Sequence, residues 1–598
     1  MMTNNDDIWD LTVLSKEVEN QKYKRTVDQA LNMAKTIELD FKGTINSSTT
    51  TPEQVLELLK RMDDVWLLLE PGWLYGRFKD TEDKTDSIGQ EIFKAYESAR
   101  GSVKNHFTFS KLELGAFLNH RGKSFLVSPV LKPYRQFLSR TALENKYLLS
   151  DPEEQIVEEK DLIGIHEFCE LHELMMSKFR VKLDLDGKKR DVSFWEAYSL
   201  FRDPDRSIRR EAITKTLAKL ADNGHVFTTC LRNICKNHVN MTKRRGYPSV
   251  LTPSLTDIGV DRNTVDSMIG SIESYTNLFH EFLLLKAKIF NSSKLRGEDL
   301  LAPYPRAYQE KIPWNRAKEL VIDTFNSFDK DLGSIAREMF EKCRVDALPR
   351  PGKTTIGFCT GWYGGKSAFI AQSFAGTLED IFTLAHEMGH AVHKILRSSL
   401  EYSEYYLTDV LSEGASGFAE MLLIDKLVSE TTDEEMKKYL LFNTLNNLMI
   451  NIFYTSMNFR FEESLYKAIE NGEHLSFEFI CGSFIAARNK YYGTAVDFLP
   501  EQSYNWLYVP HHFNSWVRFY NYNYAMGQLL ALSLFEIYQG KKHSFVDEYK
   551  KLLEGASGLS AEEQLLNMDL DLSDSKFWEK GIERVEQLLL ETNNIYFK

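Results

Sequence analysis

The stretch IFTLAHEMGHAVH, residues 381–393, places three histidines and one glutamate in a run that is otherwise mostly apolar. His386 and His390 are four residues apart, so on a helix they share one face. Two imidazoles at that spacing reach one metal ion. Glu387 points about 100° further around the same helix, towards a water rather than the metal. This is the His-Glu-x-x-His arrangement, with the glutamate as general base. Phe382, Leu384, Ala385, Met388, Ala391 and Val392 make the helix a buried one. Unsatisfied polar groups are costly there, and a metal would satisfy them. His393 lies two turns beyond His386, where packing suits it better than ligation.

A catalytic zinc needs a third protein ligand. The following carboxylates are Glu401, Glu404, Asp409, Glu413 and Glu420. Glu401 and Glu404 fall in the polar link SSLEYSEYY and are expected at the surface. Asp409 suits the N-cap of the next helix. Glu413 is flanked by Ser412, Gly414, Ala415, Ser416 and Gly417, small residues that let a second helix come close. Glu420, on the same face, either holds the second nitrogen of a ligating histidine or is an ordinary helix-surface charge.

The chain around this segment has 598 residues, too many for one hydrophobic core, so two or more lobes are expected. Hydrophobic content of 43% and charged content of 27% are those of a folded globular protein. A net charge of -13 argues against a nucleic-acid or anionic-membrane surface. The six cysteines fit a reduced, cytoplasmic protein. The N-terminus MMTNNDDIWDLTVLSKEVE does not resemble a leader, and no stretch is apolar enough to span a membrane.

Helical periodicity marks 18–41, 51–70, 85–100, 129–146, 152–181, 195–220, 263–289 and 315–343. LDLDGKKRDV, 183–192, reads as a short hairpin. Residues 345–375 differ: Gly352, Gly357, Gly361, Gly364 and Gly365 alternate with β-branched and aromatic residues, the pattern of short strands. Helical periodicity resumes at 376. A single strand-and-glycine island thus precedes the histidines directly.

Attack on a carbonyl develops negative charge that needs hydrogen-bond donors. VPHHFNSWVRFYNYNYAMGQLLALSLF, 509–535, supplies His511, His512, Tyr520, Tyr522 and Tyr524. Tyr520 and Tyr524 share a helical face. Interleaved Asn521, Asn523 and Arg518 set a polar cavity wall against plain aromatic packing.

Together GTLEDIFTLAHEMGHAVH, SEGASGFAE and FYNYNYAMGQLLALSLF resemble the oligoendopeptidase F branch of the thimet-type zinc oligopeptidases, family M3. The resemblance implies a mostly α, two-lobed zincin-type metallopeptidase with a deep channel and a small strand island. It implies an N-terminal helical domain over 1–200 and a catalytic domain over 201–598. One zinc per chain would be held by His386, His390 and Glu413, with Glu387 as base and Glu420 in support. The edge of segment 357–374, with Gly361, Tyr363 and Phe369, would hold the substrate backbone. His512 would contact substrate and Tyr524 would donate to the tetrahedral intermediate. Arg518 stands where the family usually has proline, and the spacing from the histidine to the Phe-Tyr pair is slightly long, so His511 and His512 are interchangeable in role, as are Tyr520, Tyr522 and Tyr524. Short peptides are the expected substrates, cleaved internally.

Two other readings fit parts of this pattern. A zinc carboxypeptidase would need a cationic pocket, from Arg518 or Lys366. A non-catalytic peptide binder would need a ligand or base missing, and all are present.

Overall fold

A computed structural model describes residues 7–597 except 17, 19–21, 46–48, 122, 186, 306–310, 355, 356, 408 and 409. Asp409, expected as a cap, lies outside the described residues. The chain forms two compact units, each assembled from three stretches. They divide the chain differently from a cut after residue 200.

The first unit comprises Met1–Leu148, Gln309–Leu427 and Leu534–Asp571. Its N-terminal part is a stack of helices, Lys22–Phe41, Pro52–Glu82, Ser87–His106, Thr108–Arg121 and Arg135–Asn145. The helix Pro52–Glu82 starts where Thr51 and Gln54 cap each other reciprocally and Pro52 takes the first turn, where no N–H is needed. Leu58, Val65, Leu69, Tyr96, Leu114, Leu131 and Leu138 form its core. Thr108–Arg121 lies between the expected helical segments, and Pro129 and Pro133 turn the start of 129–146 into a tight 3₁₀ turn.

The island is a three-stranded sheet in the same unit. Ser367–Ala371 is central, parallel to Val345–Asp346 and antiparallel to Phe358–Trp362. Phe358–Trp362 is therefore an edge strand. Phe369, expected to face substrate, is instead fully buried, its ring centroid 4.9 Å from Phe78 in a cluster with Trp9. Ala368, Phe369, Ile370 and Ala371 are all buried, so this central strand is covered on both faces and Phe369 lies on the side of Trp9 and Phe78.

The second unit comprises Leu149–Tyr308, Val428–Ser533 and Leu572–Lys598. It is helical, with Gly224–Arg245, Thr276–Ile289, Glu434–Met449, Thr455–Glu470, Phe477–Tyr492 and Ser575–Phe597 among its long elements. The expected hairpin is present, Arg180–Leu185 paired with Lys188–Ser193. Gly187 takes its turn at φ 74°, a conformation glycine adopts without strain. Before the hairpin, the helical run breaks at Gly164 into Asp151–Leu162 and Ile165–Ser177.

Candidate active site

The helix Leu378–Arg397 begins with a capping box in which Thr377 and Asp380 satisfy each other's backbone N–H groups. Leu378, Ile381, Leu384, Ala385, Met388, Ala391 and Val392 bury one stripe of it. Its other face presents His386 and His390 with their Nε2 atoms 3.2 Å apart. Gly389, between them, admits the helix Leu411–Glu430. A Cβ there would sit 2.8 Å from Cα of Ser416 and 2.9 Å from the carbonyl oxygen of Ala415. Backbone-to-backbone contact of this kind needs small residues on both sides, and it brings Glu413 into reach. Its Oε2 lies 3.7 Å from Nε2 of His386 and 3.8 Å from Nε2 of His390.

These three groups offer donor atoms all within 4.8 Å of one another. Oε1 of Glu420 lies 2.6 Å from Nδ1 of His386. The ring of His390 bonds the backbone of Ser412. With both outer nitrogens engaged, the Nε2 lone pairs face each other and the Glu413 carboxylate. Three acceptors converging on one point repel unless a cation lies among them, so this donor set fits a divalent metal. Nitrogen and carboxylate donors are the set zinc takes.

Burial disfavours the charged imidazolium of His386, but hydrogen bonding and attraction to Glu420 outweigh it and raise its pKa to about 9, so a metal binding at Nε2 would displace a proton there. His390, without such a partner, is pushed well below its ordinary value by burial. Glu387 is buried, and that burial raises its carboxyl to about 7 despite His386, with Glu413 and Glu420 adding repulsion. His393 is buried, on the packing side of the helix.

The edge strand runs beside this base: a Cβ on Gly357 would lie 3.6 Å from Oε1 of Glu387. Gly361 is demanded by Tyr405, whose hydroxyl would sit 1.9 Å from a Cβ there. The turn after the strand is gripped by Glu70, which accepts the backbone N–H groups of Tyr363 and Gly364, each at 2.9 Å, and the Tyr406 hydroxyl at 2.6 Å. Tyr363 itself is half-buried, donating to the Leu400 carbonyl at 2.8 Å. Sequence reading missed Glu70. A glutamate in the buried stripe just before Pro71 is a signal, but nothing local names its partners.

Glu404 was expected at the surface and is buried instead, accepting the backbone N–H of Phe137 at 2.9 Å. A carboxylate enters a core when it satisfies helix N–H groups that have no other acceptor. Burial raises its pKa to about 7.

The second unit holds the late aromatic motif. His511 Nε2 lies 3.1 Å from the Tyr524 hydroxyl, and its ring stacks on Tyr520 at a centroid distance of 5.6 Å. Tyr524 is 39% exposed. His512, expected to contact substrate, is buried against Phe461, and burial pushes its pKa down to about 3. Consecutive residues of a tight turn face opposite ways, and the open side falls to His511. Tyr522 is likewise core, its hydroxyl 3.1 Å from that of Ser254. Arg518 is buried in an ion pair with Glu462 at 2.8 Å and donates to the carbonyls of His512 and Asn514. It braces the turn and supplies no cationic pocket.

Residues 199–584 match the profile of peptidase family M3, and residues 114–180 match that of oligopeptidase F. The chain belongs to peptidase family M3, in the oligoendopeptidase F branch, and is a zinc metalloendopeptidase of that family. It is 21% identical to oligopeptidase PepF of Bacillus subtilis, covering 98% of this chain and 88% of that one. It is 24% identical to the chromosomal oligoendopeptidase F of Lactococcus lactis subsp. cremoris, over 87% and 85%. In fold it is similar to the crystal structure of oligoendopeptidase F from Enterococcus faecium, with a TM-score of 0.70, 20% identity and coverage of 97% and 99%. Among the described residues no helix is long and apolar enough to cross a membrane.

Proposed function

We propose that this enzyme hydrolyses internal bonds of short peptides, with His386, His390 and Glu413 as metal ligands and Glu387 as proton carrier. The convergence of two histidine nitrogens and a carboxylate beside a buried glutamate carries the reading. A zinc ion held there would supply Lewis acidity towards water and the scissile carbonyl.

Glu387 takes the proton of the attacking water and delivers it to the leaving amine. A carboxyl raised towards neutrality by burial is matched to both transfers. Glu420 keeps His386 in the tautomer whose Nε2 is free. The edge strand Phe358–Trp362 offers backbone groups to an extended peptide, which reads little side-chain identity. Tyr524, paired with His511, donates to the carbonyl oxygen as charge develops. The exposure of this pair, against the burial of His512 and Tyr522, supports the assignment. The six unbridged cysteines accord with the reducing cytoplasm.

Digestion of a mixed peptide library, followed by mass spectrometry with and without chelator, tests this reading. Internal cleavage abolished by chelator and restored by zinc is expected. Sequential release of C-terminal residues would overturn it in favour of an exopeptidase.

A further inference from the structure

The second unit encloses a cavity of about 140 Å³ that no step above uses. Arg202, Lys286 and Arg488 line it, and among the described residues no aspartate or glutamate does. The nearby acids are already engaged: Asp299 with Arg206 and Arg209, Glu298 with Arg210.

The cations keep donors to spare. Lys286 is buried, and its ammonium donates to the Leu300 carbonyl and to Oδ1 of Asn446, both at 2.7 Å. Burial lowers its pKa to about 7, so an entering carboxylate would favour the charged form and its third donor. Arg488 lies with its guanidinium 3.9 Å from the centroid of Phe498, and its buried Nε and Nη1 have no hydrogen-bond partner. Arg202 is exposed and marks the rim.

Between the cations the walls are aromatic, including Phe279, Tyr454, Tyr492 and Tyr508. Tyr454 closes a π-helical turn, Ile450–Tyr454, an irregularity that proteins tend to keep at binding sites. A lone inorganic ion needs only the order of one water-sized space, roughly 10–15 Å³, and would leave most of this cavity unfilled. The occupant therefore has an apolar body as well as a negative end.

We propose that this cavity binds a small carboxylate with an aromatic or aliphatic body and no ammonium group. The carboxylate is held by Arg488 and Lys286 and the body lies against the tyrosines. A zwitterionic amino acid is disfavoured because its ammonium would enter a site that is already cationic and offers no carboxylate. Tyr508 ends the segment Pro500–Tyr508, which leads directly into Pro510–Phe513 and so to His511.

The test is calorimetric titration of the purified full chain with 3-phenylpropionate, L-phenylalanine and chloride, at constant ionic strength. Saturable one-to-one binding of 3-phenylpropionate is expected, with L-phenylalanine at least about tenfold weaker, the scale of one lost charged contact. Arg488→Gln should weaken 3-phenylpropionate by about tenfold or more, and Arg488→Lys by less, with unchanged circular dichroism. Equal binding of both organic ligands, binding of chloride alone, or no saturable binding to folded protein would overturn the proposal. So would unaltered affinity in a folded Arg488→Gln variant. None of these readouts depends on peptidase activity, so the site and the proposed function stand or fall separately.

Discussion

Oε1 of Glu420 lies 2.6 Å from Nδ1 of His386, two helical turns beyond Glu413 on the same face of the same element. A single helix thus carries a carboxylate facing the metal position and another that orients a histidine. Removing such an orienting partner weakens metal binding about 10–100-fold in other sites. Glu420→Ala should show a loss of that size when zinc affinity is measured by competition with a chelator. Unchanged affinity would reduce Glu420 to a surface charge.

Glu387 precedes Gly389 and His390 on the same helix but does not share in the acceptor cluster. Glu387→Gln should retain stoichiometric zinc by elemental analysis while kcat drops about 10²–10⁴-fold. Turnover near that of the parent would remove Glu387 from proton transfer.

Gly389 sits where the two helices touch. A methyl group there meets backbone atoms at 2.8 Å and 2.9 Å, which have no flexible end to move aside. Gly389→Ala should destabilise the fold by about 1–3 kcal/mol in denaturant unfolding. Zinc affinity should fall with it, because Glu413 moves with the displaced helix.

The two tyrosines Tyr522 and Tyr524 should separate cleanly. Tyr522→Phe removes a buried hydroxyl bonded to Ser254 and should cost about 1 kcal/mol of stability with kcat retained. Tyr524→Phe, at an exposed position, should lower kcat with little change in stability or KM. An effect on KM alone would make Tyr524 a binding contact.

Acid should weaken the second unit through two histidines, His172 buried and His238 half-buried. His172 and His238 donate to the carbonyls of Leu507 and Val250, at 2.9 Å and 2.7 Å, and burial pushes each pKa down to about 4. Above pH ~6.5 both folded and unfolded forms are neutral, so nothing changes. As pH falls from ~6.5 towards 4, the unfolded chain takes up protons that the folded one refuses, and stability is lost. Each histidine contributes on the order of 3 kcal/mol to that loss. His238→Gln should flatten the pH dependence of the unfolding midpoint by one such share. An unaltered slope would place the effect elsewhere.

Much of the site could be read along the chain because its spacings are local. His386, Glu387 and His390 are set by one turn of helix, and the small residues around Glu413 announce a close helix crossing. The strand island was visible from its glycines and β-branched residues. Phe369, Glu404, His512 and Tyr522 were misread for a common reason: each is defined by what packs on it from distant segments. The burial of Phe369 depends on Trp9 and Phe78, which reach the strand from the N-terminal segments. The burial of Glu404 depends on Phe137, and that of Tyr522 on Ser254.

The sequence alone pointed to the helical class and the His386–His390 pair, which follow from residue types at fixed short spacing, and to the family and Glu413 through the resemblance of three separate motifs. The tertiary structure alone decided that His511 rather than His512 accompanies Tyr524. It alone showed that Arg518 braces a turn through Glu462 instead of awaiting a substrate, and that Glu70 grips the turn after the edge strand. Whether a polar side chain is satisfied internally or left open for chemistry depends on partners brought in by folding, and no local pattern encodes them.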